Sequence, residues 1–246
     1  MREDGHASLL RGLKVLEQEG ISFLHQDENR LLVNHDAVWR LIQIWAKEEP
    51  DRLLKTLKKK LQMRGRAERT LENRPLEWMV EQGMAWKAGD DWKLTPAWAE
   101  IYRSQWLRCE TQSDRSTVCR EYLFGLQWVL DYYTGQAPVE MTWSFSRLVP
   151  PLWTDLQQYL ETEPYEPLVF EATAPILPSE QLAMVLPRES WYLVEDPRLR
   201  EIPTLLPQFW PLRFEFFSAC RSKLWECEPL LPSLTVDRIR TAMNMR

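Results

Sequence analysis

The chain is poor in histidine and glycine: its 246 residues include three His and eight Gly, against 13 Trp and 17 Pro. His6, His25 and His35 all fall near the N-terminus. That argues against a His-based metal site or catalytic triad, which needs imidazoles and their partners gathered from separated segments. The four cysteines, at 109, 119, 220 and 227, have neither CxxC nor zinc-knuckle spacing and read as reduced thiols. No apolar run reaches 18 residues, and the charged start MREDGHASLL lacks the hydrophobic stretch of a signal peptide. These absences point to an intracellular protein, cytoplasmic or nuclear, with a virion or other assembly left open and no membrane partner. Excess positive charge is also missing, with a formal net charge of −5 and a pI of about 5.4. A general electrostatic grip on nucleic acid is therefore not expected, although a local basic patch is compatible with the balance. What is present is 44% hydrophobic and 11% aromatic residues, enough to bury a full core in one or two domains.

The chain is organised around residues 118–156. Val118 to Tyr133 contains no Pro and one Gly, Gly125, and reads as a helix. At about 100° per residue, Arg120, Gln127 and Asp131 share one narrow stripe, while Tyr122, Leu123, Leu126, Val129, Leu130 and Tyr133 cover most of the remainder. Such a helix is expected to be surrounded on nearly every side. Thr134-Gly135-Gln136 ends it, and Pro138, Pro150 and Pro151 turn the following stretch into an irregular aromatic strap. Cys109 to Thr117 reads as a polar loop feeding the helix.

The N-terminal half reads as helices and hairpins. Ser8 to Gln18 forms a short helix stopped by Gly20, and two extended runs, Ile21 to Leu24 and Arg30 to Val33, flank a Gln26-Asp27-Glu28-Asn29 turn. Asn34 caps an amphipathic helix from Ala37 to about Lys60, interrupted at Pro50 with a restart at Asp51. The layout recurs: Leu76 to Gln82 as helix, Gly83 as stop, Met84 to Trp86 and Trp92 to Leu94 as strands, then a helix opened by Thr95-Pro96. This suggests a duplicated unit or two winged-helix-like corners. Gly89-Asp90-Asp91 is similar to polymerase metal motifs, but between two short strands a tight hairpin turn explains it better. Arg52 to Arg69 carries eight Lys or Arg against one Glu. It is either a solvated helix face with a connector or a phosphate-contacting flank, for which Lys58, Lys59, Lys60, Arg64 and Arg66 are the candidates.

Several stretches resemble the helical region of the XRN family of 5′-to-3′ exoribonucleases. They are Gly125-Leu126-Gln127-Trp128-Val129-Leu130 with Tyr132-Tyr133, then Pro138, Trp143, and Pro151 through Asp155-Leu156. A second match is Pro178 to Pro187, a two-turn helix bracketed by prolines with Ser179 as its cap. Trp98, Tyr102 and Trp106, at i, i+4 and i+8, are similar to a further family pattern and read as core. The run Trp210 to Glu215, then Trp225, Leu230-Leu231-Pro232 and Asp237-Arg238, resembles the end of that region. The resemblance covers about Asn34 to Met243, patchily before Trp98. With it, the expected fold is mainly α: a helical domain around a buried central helix, short hairpins in the N-terminal half and a proline-punctuated irregular C-terminal half. The expected division is 1–110 for the helix and hairpin units, including the basic segment 52–69, and 111–246 for the XRN-like core.

The resemblance implies no catalytic residue here, because the family's metal-binding acids belong to an N-terminal module and this chain begins about where that module would end. Two-metal cleavage needs several converging carboxylates. The pairs Asp27-Glu28, Glu48-Glu49, Asp90-Asp91 and Glu195-Asp196 read instead as solvated acids in turns or at a helix end. No cofactor is expected, and magnesium only if a catalytic module is supplied in trans. In the family one Trp of the strap stacks on an RNA base; the matching position is Trp143, with a buried strap anchor as the alternative. The family's downstream aromatics are replaced by Phe145 through Pro151, where Arg147 is a candidate phosphate contact. Two functions follow as expectations. One is a non-catalytic module that binds single-stranded RNA or scaffolds a separately encoded 5′-to-3′ exoribonuclease module; the other is an interaction protein that reuses the scaffold without RNA. A protein partner is expected on either, and a self-sufficient hydrolase on neither.

Overall fold

The computed structural model describes residues 3–28, 30–64, 83–163, 173–217 and 224–244, with backbone alone at 3, 4 and 60–64. The expected helix Leu76 to Gln82 lies outside them. The described residues form two compact units, the first from those up to Val139, 144–163 and 224–226, the second from Glu140–Trp143, 173–217 and 227–244. The described residues are mainly helical, with three separate two-stranded hairpins. No helix among them is long and apolar enough to cross a membrane.

In the first unit, α1 (Glu3–Gln18) ends at Gly20, whose φ of 71° lets the chain turn back. Strands β1 (Leu24–Asp27) and β2 (Arg30–Val33) pair antiparallel from Leu24 with Val33 to Asp27 with Arg30; β1 thus begins three residues later than the expected run and takes in Gln26 and Asp27, expected as turn, because the ladder closes on a two-residue loop. Asn34 Oδ1 accepts from the Asp36 N–H at 3.0 Å and so caps α2 (His35–Arg64). Contrary to expectation, α2 runs unbroken through Pro50. Proline removes one backbone donor, but α2 is held on both sides by packing: Leu41 and Ala37 sit against α1, Val38 and Ile42 in the core shared with the later helices. A Cβ at Gly12 would lie 2.6 Å from Leu41 Cδ2, which shows how closely α1 approaches α2. Burying a side chain such as Leu41 or Ile42 is worth about 1.5–3 kcal/mol each, so a few of them offset the roughly 3 kcal/mol cost of a helical proline.

The hairpin layout repeats in detail. Strands β3 (Ala85–Ala88) and β4 (Asp91–Leu94) pair in the same register, with Gly89 at φ 63° in the turn. In each of these two hairpins the residue after the second strand closes it in the same way. Asn34 N–H donates to Phe23 O at 2.9 Å and its side chain to Ser22 O at 2.8 Å; Thr95 N–H donates to Met84 O at 2.9 Å and its hydroxyl to Gly83 O at 2.9 Å. α3 (Trp98–Ile101) then passes directly into a π-helical turn, Tyr102–Leu107. Tyr102 and Trp106 are buried with rings 5.3 Å apart, and the Tyr102 hydroxyl donates to Pro150 O at 2.8 Å.

The central helix α4 (Gln112–Thr134) begins six residues earlier than expected. Thr111 and Asp114 form a capping box, each side chain accepting from the other's backbone N–H, so most of the supposed loop is helical. Gly135, at φ 64°, stops it. From Glu121 to Trp128 no residue is exposed, but the last turn is not surrounded: Val129, Tyr132 and Tyr133 are exposed while Gln127 and Asp131 are buried. α5 (Trp153–Thr162) packs along α2, adding Leu156 and Leu160 to the core with Cys119 and Leu123.

The second unit is built from short pieces: α6 (Pro178–Val185), α7 (Pro197–Arg200), α8 (Ile202–Leu205), strands β5 (Phe216–Phe217) and β6 (Glu228–Pro229), and α9 (Val236–Asn244). Its core gathers Trp191, Leu199, Ile202, Trp210 and Ile239. Pro178 occupies the first position of α6, so Leu177 is the cap residue, not Ser179; the Glu180 carboxylate accepts from the Leu177 N–H at 2.9 Å.

Candidate nucleic-acid interface

The buried polar residues of α4 pin the first hairpin. Gln127 Oε1 accepts from the Val33 N–H at 2.9 Å, and its Nε2 donates to Leu31 O and to Asp131 Oδ1, both at 3.0 Å. Gln136 Oε1 accepts from the Leu31 N–H at 3.0 Å. Two side chains thus pair the outer edge of β2 as a third strand would, leaving no open edge on that side. Asp131, with no exposed side-chain surface, receives the Arg30 guanidinium in a two-point bond, with Nε 3.0 Å from Oδ1 and an Nη2–Oδ2 contact beside it.

The same device recurs. Asp155 on α5 accepts from Arg103 Nε at 3.0 and 3.1 Å and from Nη2 at 2.6 Å, while Arg103 also bonds Glu100. The wider π-helical turn carries Arg103. In the second unit Glu180 accepts from Arg240 Nε at 2.8 Å and Nη2 at 3.0 Å; this pairing, chiefly through the Arg240 hydrogen bonds, holds the Glu180 carboxyl below its ordinary range. Glu49, read as a solvated acid, is buried. It accepts from the Trp153 N–H at 2.8 Å, the Thr154 N–H at 3.3 Å and the Thr154 hydroxyl at 3.2 Å, capping α5 from another helix. Burial pushes its carboxyl up despite those bonds.

Each buried carboxylate therefore answers to one arginine or one helix end. Among the described residues no three His, Cys, Asp or Glu come together in a way that could hold a metal ion. Among the described residues the carboxylates are spread one to a partner and do not converge as a magnesium site requires. Of the exposed acids in the hairpins, Asp91 pairs with Lys58 at 2.6 Å, and that bond lowers its carboxyl.

The candidate RNA residues sit as follows. Trp143 is half-buried in the second unit, where its N–H donates to Glu140 O at 3.2 Å and closes a turn; the Met141 N–H donates to Thr173 Oγ1 at 2.8 Å. Arg147 is half-buried in the first unit beside the Cys109 sulfur and the Asp114 carboxylate, drawn toward the start of α4. Lys58 is engaged by Asp91, and Lys59 is exposed. The side chains of Lys60 and Arg64, and all of Arg66, lie outside the described residues. Residue types alone did not reveal the exposed rings at the end of α4: Tyr132 stacks on Trp128 with centroids 5.3 Å apart and planes 7° from parallel, and Tyr133 meets Tyr132 edge-on. The available signal was the pair Gln127 and Asp131 at i and i+4, which, once turned inward, puts those rings outside.

Comparison with known proteins agrees with this architecture. Residues 30–202 match the Xrn1 helical domain family, so the stretch from Pro203 to Met243 falls outside the match. The chain is 26% identical over 152 residues to 5′-3′ exoribonuclease 1 of Saccharomyces cerevisiae, covering 60% of this chain and 10% of that protein. It is 30% identical over 133 residues to 5′-3′ exoribonuclease 2 of the same yeast (53% and 13%). To 5′-3′ exoribonuclease 2 of Candida albicans it is 27% identical over 165 residues (64% and 17%). The aligned part is thus less than a fifth of any of these relatives. Since the family match extends over well more than half of the 246 residues and takes in both the α4 lock and the proline-bracketed α6, this chain belongs to the Xrn1 helical domain family.

Proposed function

We propose that the chain is a non-catalytic helical module that holds macromolecules in place for 5′-to-3′ RNA degradation, scaffolding an exoribonuclease module that lies outside these residues and contributing a single-stranded RNA contact at Trp143. The observation that carries this reading is the use of the buried acids: Asp131 and Asp155 in the first unit and Glu180 in the second each close on one arginine within their own unit, which leaves no converging carboxylate cluster among the described residues. Relatives named as 5′-3′ exoribonucleases supply the RNA context. Lys59, exposed on α2, suits a phosphate contact.

The test is fluorescence anisotropy with labelled, 5′-phosphorylated single-stranded RNA over a salt series. Affinity is expected to fall as salt rises, and Trp143→Ala to weaken it by about 5- to 150-fold, the equivalent of roughly 1–3 kcal/mol of base stacking. Binding that is absent, or indifferent to both salt and Trp143, removes the RNA contact. A second reading, an interaction protein that uses the frame without RNA, is favoured by one observation: Arg147 is drawn in beside Cys109 and Asp114 while Lys58 is neutralised by Asp91. Trp143 buried against a co-purified protein would support that reading.

A further inference from the structure

The last turn of α4 exposes what the rest of the helix hides. Taking Asp131 as the direction of the hairpin, about 100° per residue puts Trp128, Tyr132, Val129 and Tyr133 in succession round the adjoining side. Val129 is 47% exposed, Tyr132 49% and Tyr133 81%. Trp128 supports Tyr132 from beneath in a parallel stack, and Tyr133 stands edge-on to it, so the rings form one braced step. Rigid, half-open tyrosines next to an indole are the residue types that dominate protein interfaces.

The charge beside this step is negative. Arg30 is clamped to Asp131, and its strand partner is Asp27, which ends β1; Asp27 and the next residue, Glu28 in the turn, are both exposed beside the end of α4. Gln136, bonded to the Leu31 N–H, keeps the chain beyond the helix against the same hairpin. The Arg30 guanidinium is already paired with Asp131, while the Asp27 and Glu28 carboxylates face water.

Exposed aromatic rings flanked by carboxylates are complementary to guanidinium and ammonium groups, which gain from the ring faces and from the acids at once. They are a poor seat for phosphate, which the acids repel. We propose that the end of α4 and the β1–β2 turn together form a docking surface for a protein segment bearing arginine or lysine among apolar residues. This rests on the reading of the chain as a scaffold and names the chemistry of what it holds; it does not involve Trp143.

The test uses the full chain with three labelled probes: a short peptide alternating Arg and Leu, its counterpart alternating Glu and Leu, and 5′-phosphorylated oligouridylate. The Arg/Leu peptide is expected to bind and the Glu/Leu peptide not. Tyr132→Ser and Tyr133→Ser should each weaken the former by about two- to fivefold. Asp27→Asn combined with Glu28→Gln should weaken it and flatten its salt dependence. Tyr133 is so exposed that its serine variant tests the surface without touching the core. The proposal is overturned if no peptide binds, if both peptides bind alike, if these variants leave the Arg/Leu affinity unchanged, or if oligouridylate competes for the site and is lost with Tyr133→Ser. Trp143→Ala should leave peptide binding intact, so failure here and failure of the RNA contact are told apart.

Discussion

Asp131→Ala removes the carboxylate that joins α4 to the first hairpin. The side chain has no exposed surface, whereas Arg30 keeps 19% of its own, so the substitution takes the Asp131 carboxylate away from a largely buried guanidinium and from one Gln127 N–H. Breaking a buried pair from one side costs about 3–5 kcal/mol, and the partial access of Arg30 to water places this case near 3. For a chain of this size that is a fall in Tm of about 6–12 °C, or in urea a midpoint lowered by about 1–2 M. The local signature is amide exchange: Leu31 and Val33, whose N–H groups donate to Gln136 and Gln127, should lose protection first. The double variant Arg30→Met with Asp131→Leu, which removes both charges and keeps volume, should recover most of the loss. A penalty under about 1 kcal/mol, or single and double variants that simply add, would show that the pair behaves as a surface ion pair and that the lock is not real.

The remaining predictions concern Glu49 and the thiols. Because burial raises the Glu49 carboxyl above its ordinary 4.5, the folded state binds an extra proton between that value and the raised pKa; stability should fall as pH rises through this window and level off above it. Glu49→Gln lacks the slope, so the difference in urea midpoint between native and variant chains should shift toward the variant with rising pH; a flat difference counts against a buried, ionising cap. Cys109 and Cys119 are both buried, and desolvation pushes the Cys119 thiol up to about 12. At pH 8 neither should react with a thiol reagent until the chain unfolds, and rapid labelling of either in the native state would show that the core beneath α4 opens.

Much of the frame was legible from residue order because it rests on local chemistry. Gly20 and Gly135 stop helices where a positive φ is needed, Asn34 caps α2, and β2, β3 and β4 lie within two residues of the expected runs, while β1 falls three residues later than its apolar run because pairing with β2, not composition, sets its position. Pro50 was misjudged because a helix breaker weighs only against local propensity, while α2 is held by packing on α1 and α5. Glu49 was misjudged for the opposite reason: an acid at a supposed helix end looks solvated until another helix offers its unpaired N–H groups.

Periodicity along α4 separates its polar stripe from its apolar surface, but it carries no information about which of them meets the rest of the molecule. That choice falls to partners about a hundred positions away, Arg30, Leu31 and Val33, which supply bonds strong enough to bury Gln127 and Asp131 and so leave Tyr132 and Tyr133 facing water. Helices, turns and family membership follow from neighbours along the chain. The inward face of the central helix, and with it the face left to solvent, follows from hydrogen bonds that exist only once distant segments have closed on one another.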